Sequence, residues 1–329
     1  MTTPHMRHDL LYGNVKLFAG TASPELANEI ANYLGKPLCG RDIIEFPNEN
    51  LFVRLHKSVR GQDCYVIQST PAPVHRNLME LLILIQTLKL DSAGRITAVV
   101  PYLCYGRSDK KDQPRVPITA KLVAEMIQIA GADRYMTFDL HAGQIQGFFS
   151  IPGDVLRTFH VIDDYLLEIA PSLKDPVVVT ADLGFAKKGR VYADLLHTGL
   201  AFIEKKRTTD IKNPRSMTVI GDVQDHDVIL VDDEISTGGS MVHAVEILKE
   251  HGARNIYMIF IHPVLSQNAA ERLADLPVKR FVTTNTIFID PQKRALFGDR
   301  LVILSIGSML GEVIRRANEG RSVGAMFNE

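Results

Sequence analysis

The segment VILVDDEISTGGS, residues 228–240, sets two adjacent carboxylates, Asp232 and Asp233, after an apolar run. Ser236, Thr237, Gly238, Gly239 and Ser240 follow them. Carboxylates accept hydrogen bonds from vicinal sugar hydroxyls. Glycines let successive backbone N–H groups converge on phosphate oxygens, hydroxyls add donors, and a helix start adds partial positive charge. A lone Gly-Gly turn is more often a plain strand–helix junction. The whole constellation favours a sugar phosphate, and leaves open whether the activated sugar is consumed or made there.

Two further polar clusters precede it. PYLCYGRSDKKDQPR (101–115) carries Arg107, Asp109, Lys110, Lys111 and Arg115 after the apolar run ITAVVP. Cations beyond a strand end suit a polyphosphate, and arginine can clamp two oxygens at once. By itself such a run reads equally well as a solvated loop. FDLHAGQIQGFFSIPGD (138–154) places Asp139 and His141 at a strand end, with Gln144 and Gln146 among apolar neighbours. A neutral imidazole can ligate a divalent metal or contact a nucleotide phosphate, although a lone histidine is more often structural.

These clusters need strands to carry them. VKLFAG (15–20), CYVIQS (64–69), ITAVVP (96–101), RYMTFDLH (134–141), VVVTADLG (177–184), VILVDD (228–233), IYMIFIH (256–262) and LVILSI (301–306) read as strands. Helical patterns lie between them. PELANEIANYLG has a stop at Gly35. In SMVHAVEILKEHGA, Met241, Ala244, Val245 and Leu248 share one face. LMELLILIQTL, from Leu78, is too short to span a bilayer and reads as a buried helix. Strands alternating with helices imply parallel sheets covered on both faces. There is also an internal echo: Gly131 and His141 recur as Gly252 and His262 in matching helix–Gly-Ala–strand–His stretches. That favours a duplicated domain, with the boundary between Ile151 and Phe159. The expected domains are 1–155 and 156–329. The tail GSMLGEVIRRANEGRSVGAMFNE reads as a short helix and a frayed end.

Composition narrows the class. The formal net charge is -1, so no nucleic-acid or anionic-membrane partner is expected. The three cysteines, Cys39, Cys64 and Cys104, form no CxxC pair, which favours free thiols in a reducing cytosol. The opening MTTPHMRHDLL has no signal-peptide pattern.

Together VRGQDCYVIQST, NLMELLILI, PYLCYGRSDKKDQPR, DLHAGQIQGFFSIP, FIEKKR and VILVDDEISTGGS resemble class I ribose-phosphate pyrophosphokinases, from about Val15 to the C-terminus. The resemblance implies two tandem phosphoribosyltransferase-like α/β domains, each a mostly parallel sheet flanked by helices. It implies transfer of the pyrophosphoryl group of Mg-ATP to the anomeric hydroxyl of ribose 5-phosphate, with Mg²⁺ as cofactor. It further implies a cytoplasmic homo-oligomer, a hexamer built from dimers. Lys205 and Arg207 in FIEKKR match the family's catalytic loop, and TTDIKNPRSM after them reads as a mobile lid. Phe46, Asn48, Glu49 and Asn50, with Arg107, Ser108, Asp109 and His141, match ATP-binding positions. Arg207, Asp232, Asp233 and Ser236 to Ser240 match the ribose 5-phosphate site. His141 and Asp182 match magnesium-associated positions.

Departures stand beside these matches. FPNEN (46–50) replaces the family's FxDGE, which leaves the nucleotide preference open. In TADLGFAKKG (180–189), Phe185 stands where a second glycine is usual and could obstruct backbone approach to phosphate. Ser108 replaces Gln, and Ser150 and Ser236 each replace Asp. Two rival readings follow: a phosphoribosyltransferase that consumes the product, or a non-catalytic regulatory paralogue.

Overall fold

The computed structural model describes residues 12–207 and 215–326; the side chains of 183, 205–207 and 215–217 lie outside that description. The chain divides into two compact units. One ends at Leu156 and includes the chain from Ile306 onward; the other is Arg157–Ser305.

The first unit runs β1 (Val15–Ala19), α1 (Pro24–Leu34), β2 (Arg41–Glu45), β3 (Leu51–Leu55), β4 (Asp63–Ile67), α2 (Val74–Leu90), β5 (Arg95–Val99), α3 (Thr119–Ala130), β6 (Arg134–Phe138) and β7 (Gly153–Leu156). β1, β4, β5, β6 and β7 lie in that order in one parallel sheet, while β2 and β3 pair as an antiparallel hairpin. Alternate side chains face opposite ways. Cys64, Val66, Ile96 and Ala98 pack with Leu81 and Ile85 of α2 and Val123 of α3. Tyr65, Ile67 and Val99 pack with Ile30 of α1 and with Leu310 and Ile314 of the final helix. The latter, Gly307–Glu319, is 13 residues long. The expected short helix and frayed end is therefore a structural layer of the first unit, because that face of its sheet needs covering.

A buried charge cluster fastens that helix. Arg95 Nε and Nη2 donate to the two carboxylate oxygens of Asp63 at 2.8 and 2.6 Å. The Tyr65 hydroxyl donates to Asp63 at 2.8 Å. From the helix, Asn318 Nδ2 donates to Asp63 at 2.8 Å, and the Ala317 carbonyl accepts from Arg95 at 3.1 Å.

The second unit runs α4 (Phe159–Ile169), β8 (Val177–Thr180), α5 (Ala186–Leu195), β9 (Gly199–Arg207), β10 (Arg215–Ile220), β11 (Asp227–Glu234), α6 (Gly239–Glu250), β12 (Asn255–His262), α7 (Ala269–Ala274), β13 (Arg280–Thr284), α8 (Pro291–Phe297) and β14 (Leu301–Leu304). The sheet order is β10-β9-β8-β11-β12-β13-β14, with β10 antiparallel and the others parallel. Val228 and Leu230 face α6, α7 and α8; Ile229 and Val231 face α4 and α5. The apolar run of β11 is thus buried on both sides. Both units have the expected class, mostly parallel sheets flanked by helices.

Three local expectations change. β6 stops at Phe138 because Asp139 adopts φ 35°, outside the extended region. β8 stops at Thr180, and Leu183–Phe185 form a 3-10 turn. Arg215, Ser216 and Met217, expected in a mobile loop, begin β10 and pair with Arg207, Lys206 and Lys205. The rest of that expected lid, 208–214, lies outside the described residues.

Asp163 of α4 is buried, and its Oδ1 has no hydrogen-bond partner among the described atoms. Burial, reinforced by Asp164, pushes its pKa up to about 7. An aspartate raised in this way favours the fold while protonated, and that contribution is lost as pH rises from the unfolded value through 7. Asp163→Asn is therefore expected to stabilise the protein by about 2 kcal/mol at pH 8, after discounting for residual solvent screening. The gain should shrink as pH falls toward 4. Thermal melts at pH 5 and pH 8 check this; an equal effect at both would refute it.

Candidate active site

The strand order of the second unit reverses between β8 and β11. From β8 the chain moves outward to β9 and β10; from β11 it moves the other way. Open α/β sheets bind ligands at the carboxyl ends of strands at such a switch point. Val231 pairs with Thr180 there, so Asp182 and the pair Asp232–Asp233 emerge from adjacent strands. Burial raises the Asp232 pKa well above the carboxylate range, and the charges of Asp233 and Asp182 add to it. Part of the load is met locally: the Asp233 N–H donates to Asp232 Oδ1, and the Glu234 N–H to Asp233 Oδ1, both at 2.9 Å. Such a crowd of carboxylates is suited to hydroxyl donors or a cation.

The cup follows. Gly238 has φ 75° and caps α6 with no side-chain bond, a conformation that costs glycine little. A Cβ on Gly239 would meet nothing within 4 Å, so the backbone there faces open space. The first N–H groups of a helix lack intrahelical acceptors; this 12-residue helix offers them beside the hydroxyls of Thr237 and Ser240. Ser236 is half-buried and bonded to Ser266 at 2.8 Å between their hydroxyl oxygens.

The turn after β8 corrects an expectation. Phe185 does not project toward the cup; its ring is buried against Ile162, Leu166 and Tyr192. Its N–H is used within the turn, donated to Asp182 Oδ1 at 3.1 Å. A glycine at that position would leave the core unfilled.

In the first unit, two loops leave the ends of the neighbouring strands β5 and β6. They are joined twice: Gln144 donates to buried Asp109, and Gly106 lies against His141. Ser108 does not point away as a free ligand. Its hydroxyl oxygen accepts from the Thr119 N–H at 3.2 Å and its carbonyl from Ala120 at 3.1 Å, capping α3. Tyr105, Arg107, Ser108, Lys110 and Asp112 line a cavity of about 410 Å³ there. Phe46, Asn48, Glu49 and Asn50 sit elsewhere, at the exposed tip of the β2–β3 hairpin, and do not line that cavity. Lys205 and Arg207 lie in β9; their side chains are outside the described set.

Among the described residues, no group of three or more His, Cys, Asp or Glu side chains is arranged to hold a metal. Mg²⁺ seldom needs one: it takes one or two carboxylates and completes its shell with water and phosphate oxygens. The oxygen donors of Asp182, Asp232 and Asp233 fit that habit. No described helix is long and apolar enough to cross a membrane. The echo of two histidines resolves into unlike sites: His141 is exposed, while His262 is buried and bonded to Thr286 at 3.0 Å.

Fold and site define an α/β protein with an acidic pair and an open glycine turn at a sheet switch point. A family model described as the N-terminal domain of ribose phosphate pyrophosphokinase matches residues 15–131, and one described as the phosphoribosyl synthetase-associated domain matches 206–328. The chain is 44% identical over 312 residues to a ribose-phosphate pyrophosphokinase of Wolinella succinogenes, covering 95% of this chain and 98% of that protein. It is 43% identical over 323 residues to the one of Haemophilus influenzae, covering 96% and 99%. The crystal structure of phosphoribosylpyrophosphate synthetase from Mycobacterium smegmatis superposes with a TM-score of 0.87 at 42% identity, covering 93% of this chain and 99% of that one. The chain belongs to the ribose-phosphate pyrophosphokinase family.

Proposed function

We infer that this protein transfers the pyrophosphoryl group of Mg-ATP to the C1 hydroxyl of ribose 5-phosphate, giving 5-phosphoribosyl 1-pyrophosphate and AMP. The observation that carries the reading is the family match over both units, joined to an open-backbone cup beside an acidic pair. A phosphoribosyltransferase reading would leave the first unit, with its polar loops after β5 and β6, without a task.

In this reading the cup from Ser236 to Ser240 holds the 5-phosphate through backbone N–H groups and hydroxyls. Asp232 and Asp233 hold the ribose hydroxyls and orient C1. Phe46, Asn48, Glu49 and Asn50, with Arg107, Ser108, Asp109 and His141, bind ATP. Ser108 contributes by fixing the loop that presents Arg107. Lys205 and Arg207 stabilise charge on the transferring β-phosphate and on departing AMP. Little covalent chemistry is asked of the protein; positioning and charge supply the rate. His141 in the first unit and Asp182 in the second are the magnesium-associated positions of this reading, and Mg²⁺ held at either would neutralise phosphate charge. The exposed hairpin tip suits a contribution made in an oligomer, and a homohexamer in the cytoplasm completes the reading.

Pure protein incubated with Mg-ATP and ribose 5-phosphate should release AMP and the pyrophosphorylated sugar in equal amounts. Absence of both at every phosphate and nucleotide concentration would exclude catalysis and favour a regulatory paralogue.

A further inference from the structure

The segment after β12 lies far from the cup in sequence, yet it is fastened to the cup's first residues. The Ile235 N–H donates to the His262 carbonyl at 3.2 Å. The Leu265 N–H donates to the Ile235 carbonyl at 2.9 Å, and the Ser266 N–H to the Ser236 carbonyl at 3.0 Å. The hydroxyl pair of Ser236 and Ser266 makes a fourth link at 2.8 Å. The same stretch forms the base of the turn: Ala269 and Leu273 lie 3.6–3.7 Å from where a Cβ on Gly238 would be.

This stretch is also held in an unfavourable shape. Leu265 has φ 43° and Gln267 φ 54°, so left-handed residues flank Ser266 on both sides. For a branched, fully buried leucine that conformation is costly and persists only where the surroundings dictate it. They do so here: the Leu265 side chain is in the core, its N–H is bonded to the cup, and Lys293 Nζ donates to its carbonyl at 2.7 Å. The result is one serine hydroxyl pinned at a fixed place against Ser236.

We propose that Ser266 is a positioning residue of the phosphate cup, acting through Ser236 to set the hydroxyl and backbone that meet the sugar 5-phosphate. The proposal rests on the cup being the ribose 5-phosphate site. A Ser236 hydroxyl that accepts from Ser266 keeps its own O–H for the phosphate and is oriented before the ligand arrives, so less freedom is lost on binding. Oriented hydroxyl hydrogen bonds are worth factors of a few in affinity.

The test uses the full chain and ribose 5-phosphate itself, with binding read by calorimetry and turnover read separately. Ser266→Ala should weaken ribose 5-phosphate binding about fivefold, leave kcat within about twofold and leave the KM for ATP unchanged. Ser266→Thr should restore binding. Ser236→Ala should lose at least that factor, and the double variant should lose no more than Ser236→Ala alone, because Ser266 acts only through Ser236. Unchanged binding in Ser266→Ala, additive losses in the double variant, or no rescue by threonine would each overturn the proposal. Wild-type protein that binds no ribose 5-phosphate would instead overturn the reading of the cup.

Discussion

Lys205→Ala is expected to lower turnover by about 10²–10³-fold while changing the affinity for ribose 5-phosphate by less than about threefold. The reason lies in what the reaction asks for. Positive charge is needed most where negative charge gathers, on the transferring β-phosphate and the leaving AMP, and least in the ground state. In the proposed reading Lys205 meets that need; it lies near the end of β9, where the strand pairs with β10 and leads into 208–214. β9 itself lies beside β8, whose end carries Asp182. Steady-state kinetics with calorimetric binding of ribose 5-phosphate separate the two effects. An equal loss in turnover and affinity would remove Lys205 from the transition state and make it a ground-state anchor.

Arg95→Ala is expected to destabilise the first unit by about 3–5 kcal/mol. It strands the Asp63 carboxylate, which is fully buried and, among the described residues, otherwise receives only the neutral donors Tyr65 and Asn318. It also removes the donor to the Ala317 carbonyl and so loosens the final helix. For a unit of this size the melting temperature should fall by roughly 10 °C. Replacing Arg95 and Asp63 together by methionine and leucine should cost less, because no charge is left buried alone. Calorimetric melts of the single and double variants decide this; a double variant worse than Arg95→Ala would show that the pair, rather than the unpaired charge, carries the stability.

Much of this molecule is legible in its residues, for identifiable reasons. β11 and β12 are apolar on both faces, so their runs stand out, and the acidic pair and glycines mark where the chain leaves the sheet. α6 shows its stripe because Met241, Ala244, Val245 and Leu248 are all buried on one side. The hairpin β2–β3 is harder to see: its residues are half-exposed and carry mixed charge, as in RDIIE, so no apolar run announces it. The final helix looks like a tail because its partners are distant; Asn318 reaches Asp63 across 255 positions. Phe185 misleads because a side chain's direction depends on the turn that carries it. The 3-10 turn at Leu183–Phe185 sends the ring into the core. Ser266 carries no motif of its own; its position follows from the pairing of β11 with β12, and the match of Glu234 to His262 is the sequence-distant contact that brings it to the cup.

The most direct measurement follows the β-phosphorus of ATP. With ATP labelled at that position, ribose 5-phosphate and Mg²⁺, the label should leave the nucleotide and appear in the sugar product as AMP accumulates. Label that remains on the nucleotide as ADP, or ATP that is not consumed when ribose 5-phosphate is added, would contradict pyrophosphoryl transfer by this protein.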